Sequence, residues 1–140
     1  MTSAEIARAY LRQAALIFEE AERHCRAGAW HLAVRRAQET VELALKAVLR
    51  AAAVEVPRVH DVGAFLRQEA DRLPKAIVEE LDRLVSISRR LRGEREVAFY
   101  GDEEVGAPPE HLYTAGDAEQ ALEDARFVLG RCQAVVPPAP

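Results

Sequence analysis

Aromatic side chains are scarce in this chain, 6% of 140 residues against 49% hydrophobic overall. A core must therefore be filled mainly by Ala, Leu and Val. Together with abundant Glu and Arg, that composition favours helix. Cysteine is scarcer still. Cys25 and Cys132 fit no metal-ligand spacing and read as small buried hydrophobes rather than a disulfide. No apolar run approaches the roughly 20 residues of a membrane span. The start MTSAEIARAY has neither the basic opening nor the apolar run of a secretion signal. A cytoplasmic chain with no membrane contact is the expectation. GxGxxG and Walker sequences are both missing, so nucleotide binding has no standard phosphate loop to rest on. No His, Asp or Glu spacing suggests a metal, and no Ser or Cys has a nucleophile's context. No cofactor is expected. The net charge of −4 argues against a basic surface overall, although 19 Lys and Arg, mostly Arg, leave room for a local basic patch.

What is present is helical period. Ile6, Tyr10, Ala14, Ile17, Ala21 and Cys25 form one stripe, with Leu11, Ala15 and Phe18 beside it. The first helix is expected from Thr2 or Ser3 to Ala27, with Ser3 as N-cap and Gly28 ending it. The second runs from Trp30 to about Ala53, with Trp30, Val34, Ala37, Val41, Ala44, Leu45 and Val48 inward. Its Arg35, Arg36, Glu39, Glu42, Lys46 and Arg50 take the other face. So short a joint makes an antiparallel hairpin. Pro57 breaks the chain. A short helix follows at about Asp61–Ala70. Another starts after Pro74 and runs from about Lys75 to Arg92, with a possible extension to Ala98. Thr114 and Asp117 form a capping box for the last helix. The fold class is all-α: an up-down bundle of four main helices plus one short one. Residues 1–134 make the bundle and 135–140 a Pro-rich tail.

One stretch interrupts this pattern: REVAFYGDEEVGAPPEHLY, Arg95 to Tyr113. It is long for a bundle connection, and loops of that length often carry function. Three further segments complete an ordered set, GAWHLAVRRAQETVELALKAVLRA, VHDVGAFL and YTAGDAEQALEDA. In this order the four segments resemble the prokaryotic HEPN domains over residues 4 to 133. The resemblance implies a HEPN-like helical bundle, often a homodimer. It also implies a minimal nucleotidyltransferase as antitoxin partner in a toxin–antitoxin pair, and a nucleotide or RNA as ligand. Active members of the family are metal-independent endoribonucleases with Arg, four to six residues, then His.

By resemblance the motif falls at Arg95. The short form would place His where Tyr100 stands, and Asp102 occupies a position where some members carry Tyr. The catalytic candidates are therefore Arg95, Tyr100 and Asp102, in a degenerate motif. Arg would neutralise the scissile phosphate, and His would move a proton. A phenol, ordinarily protonated at neutral pH, replaces that His poorly but can still donate to a phosphate. Arg92, His60 and His111 are candidate ligand-binding residues; His111 could fold back beside Arg95. The literal match Arg26-x4-His31 lies at the first helix joint, away from the family's site. Arg89, Arg90, Arg92 and Arg95, with Arg35 and Arg36, either line a basic groove or are neutralised by Glu94, Glu96, Asp102, Glu103 and Glu104. The expectation is a retained binding position with weakened or absent catalysis. The alternative is a non-catalytic homodimeric helical interaction module.

Overall fold

A computed structural model describes residues 1–56 and 58–140; the Pro57 break falls outside the described residues. Seven α-helices follow one another: α1 Ser3–Arg26, α2 Trp30–Ala51, α3 Gly63–Gln68, α4 Lys75–Val78, α5 Leu81–Glu94, α6 Val97–Tyr100 and α7 Ala115–Val135. Four are long (α1, α2, α5 and α7), and they form an all-α bundle. No strand occurs among the described residues.

Helix α2 is central and packs against α1, α5 and α7. Its joint with α1 is a short turn in which Gly28 takes a positive φ of 77°. The α1 seam toward the core is Ala7, Leu11, Ala14, Phe18 and Ala21, each at most 8% exposed. Alanines recur there every seventh residue, and α2, which packs against α1, has Ala37 and Ala44 fully buried as well. Side chains this small let two backbones approach, while Leu11 and Phe18 fill the space between layers. The expected Ile6–Tyr10–Ile17 stripe is only half-buried. It lies beside the alanine seam, which wins the close contact. Leu45, Leu49, Leu66, Ile77, Leu84 and Ile87 occupy the centre of the bundle.

Both outer helices start on capping boxes. In α7, Thr114 and Asp117 exchange the expected bonds, at 3.2 and 2.8 Å. In α1 the cap is Thr2, not Ser3. Thr2 Oγ1 accepts from Glu5 N at 3.1 Å and Glu5 Oε2 accepts from Thr2 N at 2.7 Å. Only Thr2 has a Glu three residues on, and that reciprocity decides the register.

The helix expected from Lys75 onward is divided. A turn at Glu79–Glu80 separates α4 from α5. Arg95 and Glu96 separate α5 from α6, and Arg35 Nη1 donates to the Arg95 carbonyl at 2.6 Å. A carbonyl that leaves a helical ladder needs another donor, and Arg35 supplies it. Beyond α6, Gly101 adopts φ 78° and ψ −164°, a region essentially reserved for glycine. The backbone then closes on itself, Asp102 N to Ala107 O at 2.9 Å and Ala107 N to Asp102 O at 3.0 Å. A 3-10 turn, Pro109–His111, leads into α7.

Cys132 is fully buried at the far end of the bundle, and burial pushes its thiol up to about 12, so it stays protonated. Val136, just past α7, is also buried, at 6% exposure, and the four residues after it are exposed.

Two glycine substitutions test this architecture. A Cβ on Gly101 would lie 2.2 Å from the Ala107 carbonyl oxygen, whereas one on Gly93 in α5 would meet nothing within 4 Å. Gly101→Ala is expected to lower stability by roughly 1–3 kcal/mol, from backbone strain and the clash together. Gly93→Ala is expected to raise it by about 0.5–1 kcal/mol. Urea unfolding of the two variants beside wild type measures both signs.

Candidate functional site

Most of α2 is buried, yet one of its faces carries Arg35, Gln38, Glu39, Glu42 and Lys46 at helical spacing. This face turns inward toward the α5–α6 junction, not outward as the sequence suggests. Arg95 enters it from that junction. Its Nη1 donates to Gln38 Oε1 at 2.7 Å and lies 3.8 Å from Glu42 Oε1. Gln38 passes the interaction on, donating from Nε2 to Glu42 Oε1 at 3.0 Å. Lys46 Nζ lies 3.0 Å from Glu42 Oε2, and His60 Nδ1 donates to Glu42 Oε1 at 2.9 Å. Burial alone would raise the Glu42 carboxyl, but donation from Gln38, Lys46 and His60 outweighs it and holds the group below its ordinary value.

Arg95 and Glu42 are 18% and 16% exposed, so they form an interior pair rather than a surface one. Arg35 holds the same junction from the other side. Besides donating to the Arg95 carbonyl, its guanidinium stacks 4.8 Å from the Phe99 ring centre. Phe99 in turn meets Tyr100 edge-on, with ring centres 5.2 Å apart. Tyr100 ends α6 and is 63% exposed. Its side chain is open to solvent, whereas that of Arg95 is held by α2.

The other candidates divide. Arg92 pairs with Glu96 one turn on, at 2.8 Å. His60 joins the Arg95 cluster through Glu42. Asp102 is occupied by its own turn, where Oδ1 accepts from Glu104 N at 3.1 Å and Val105 N at 3.4 Å. His111 is exposed on the 3-10 turn, which packs against α6 and α2. Gln38 and Glu42 were not singled out from sequence. The signal was there: polar residues at i, i+4 and i+8 on a helix otherwise too apolar to have a solvated side.

The Arg run on α5 finds partners farther away than its neighbouring acids. Arg90 Nη1 bonds Asp124 Oδ2 of α7 at 3.2 Å, and Arg89 Nε lies 3.8 Å from Asp61. Among the described residues only Glu96, of the five acids expected to neutralise the run, forms an ion pair with it.

On the opposite side of α6 is a cleft of about 530 Å³, bounded by α2, α5, α6 and α7. Val34, Leu91, Val97 and Ala121 are among its apolar lining, with Glu94, Asp102, Asp117 and Asp124 supplying carboxylates. The Tyr113 hydroxyl donates to Glu94 Oε2, and burial together with that carboxylate pushes the phenol well above its ordinary value.

With this geometry in place, the comparison with known proteins is direct. The HEPN domain family model matches residues 7–135. The chain belongs to the HEPN domain family. An archaeal HEPN homologue, ST0689, shares the fold at TM-score 0.71 and 22% identity, over 94% of this chain and 98% of that one. TT1696 from Thermus thermophilus is similar at TM-score 0.78 and 26% identity, over 91% of this chain and 96% of that one. No curated protein matches the chain. Among the described residues of this HEPN domain, no helix is long and apolar enough to cross a membrane.

The Glu42 cluster carries a pH signature. Its folded-state carboxyl is depressed, so its contribution is fully present above the ordinary carboxylate value and is lost as pH falls through the folded one. Glu42→Gln is expected to cost about 2 kcal/mol near neutrality, the scale of hydrogen bonds to a charged acceptor. The difference from wild type should shrink as pH drops below about 4. Denaturation midpoints of both proteins across that range check the sign.

Proposed function

We propose that this HEPN protein binds nucleotide or RNA at the Arg95–Asp102 segment, acts with a minimal nucleotidyltransferase in a toxin–antitoxin-type pair, and has weak or absent ribonuclease activity. The observation that carries the reading is the pairing of a fixed arginine with an open ring. Arg95 is anchored to Gln38 at 2.7 Å, and Tyr100, at the position where the family's shorter motif has His, is 63% exposed. A phosphate held at this segment would have a hydroxyl donor in Tyr100 and a guanidinium in Arg95 as its candidate partners. It would not meet a group poised to exchange a proton near neutral pH. The bundle through residue 134, without the tail, is the unit to which these roles are assigned.

Incubation of the purified protein with RNA in chelator tests the chemistry. Wild type is expected to cleave little, and Tyr100→His to raise the rate by about 10²-fold, the low end of general acid–base catalysis. Tyr100 is exposed, so this change should leave the fold intact. Robust wild-type cleavage that Arg95→Ala does not reduce would defeat the assignment of Arg95. Equal RNA binding by wild type and a folded Arg95→Ala variant would remove the binding role.

A second reading, a non-catalytic homodimeric interaction module, is favoured by α1. Its Ile6, Tyr10 and Ile17 form a half-buried apolar strip, and Leu16, 61% exposed, stands about 100° farther round the same helix. Sedimentation is expected to give a dimer that Leu16→Glu weakens. A strict monomer at high micromolar concentration would reject it.

A further inference from the structure

From Asp102 to Asp117 the chain carries Asp102, Glu103, Glu104, Glu110 and Asp117 and no Lys or Arg. The same region holds much of the apolar surface left open. Phe99, Tyr100, Val105 and Leu112 are all large hydrophobics at 37% exposure or more. Of these residues Asp102, Leu112 and Asp117 line the 530 Å³ cleft, a volume within the range of well-formed binding pockets.

The carboxylates of the cleft are incompletely used. Glu94 accepts from Tyr113 through Oε2, Asp117 caps α7 through Oδ2, and Asp102 closes its turn through Oδ1. Among the described residues, none of the three has an ion-pair partner, and each keeps a second oxygen with no protein donor. Asp124 differs, since Arg90 and Gln120 satisfy both of its oxygens. The one cation lining the cleft is thus matched to the one buried acid. Three negative charges remain around an apolar floor.

We infer that this cleft is a docking site for a basic amphipathic segment of a partner protein. An Arg or Lys side chain matches both halves of the surface. Its methylene stem can lie along Val97, Leu91 and Leu112, and its head can reach the free carboxylate oxygens. Apolar side chains of the same segment would cover Val105 and Leu112. A phosphate backbone is the wrong sign for this face. The assignment does not depend on whether the Arg95 position binds RNA.

The probe is a synthetic peptide with Arg and Leu at helical spacing, and its control carries Glu for every Arg. Fluorescence anisotropy on the intact chain is expected to show the Arg peptide binding with salt-sensitive affinity and the Glu peptide not binding. Glu94→Gln with Asp102→Asn, isosteres that keep the fold's acceptors, is expected to weaken binding on the order of tenfold. Leu112→Ser, which changes no charge, is expected to weaken it several-fold. Equal affinity in all variants would mean that the peptide binds elsewhere on the surface, and would overturn the site. So would a wild-type dimer that Leu112→Ser dissociates, which would assign the cleft to a second copy.

Discussion

A single carboxylate holds together three parts of the chain that sequence separates. Glu42 receives Gln38 and Lys46 from its own helix, His60 from the segment before α3, and the nearby charge of Arg95 from the α5–α6 junction. Burying a charge is expensive, and only a full set of donors offsets the loss of water. The arrangement therefore selects geometry more than it adds net stability. Any conformation that withdraws Arg95 or His60 leaves charge facing a poor solvent. The position of α6, and with it Tyr100, follows from that constraint.

The junction is also the divide between two surfaces of unlike chemistry. On one side Arg35 lies against the Phe99 ring, with Tyr100 edge-on beyond it. On the other, Glu94, Asp102 and Asp117 border an apolar floor. Helix α6 has only one turn, so the two fields lie within a few residues of each other. A modest net charge of −4 conceals this polarity. Charge summed over a chain bears on solubility; its separation bears on which partner goes where.

Much of the fold was legible because its signals are local. The Thr114–Asp117 box, the Gly28 joint and the apolar stripes of α2 and α7 depend on neighbours within a turn or two. The α1 cap was misread as Ser3, although its signal, Glu5 three residues after Thr2, is equally local. The division between α5 and α6 was not legible, because its determinant, Arg35, is 60 positions away. The site followed the same rule. Order and spacing pointed to Arg95, but what holds it is Gln38, 57 positions back. Charge pairing misled in part for the same reason. Neutralisation by the nearest acids in sequence was one of two readings for the α5 arginines; Glu96 does pair with Arg92, but Asp61 and Asp124 reach Arg89 and Arg90 through space. Helix period reports which face is apolar, but not that a polar face can be interior.

The Asp102–Ala107 turn closes with two backbone bonds and one side chain of its own. Glu103, Glu104, Val105 and Gly106 at its tip are exposed and packed against nothing central. The tip is thus mechanically insulated from the bundle: its residues can be exchanged without disturbing the Glu42 cluster, provided Gly101 and Asp102 remain as its base and Gly106, at φ 69°, stays glycine. Such a turn behaves as an interchangeable cassette. Relatives with the same helices could diverge in whom they meet by rewriting three residues there, leaving the interior untouched.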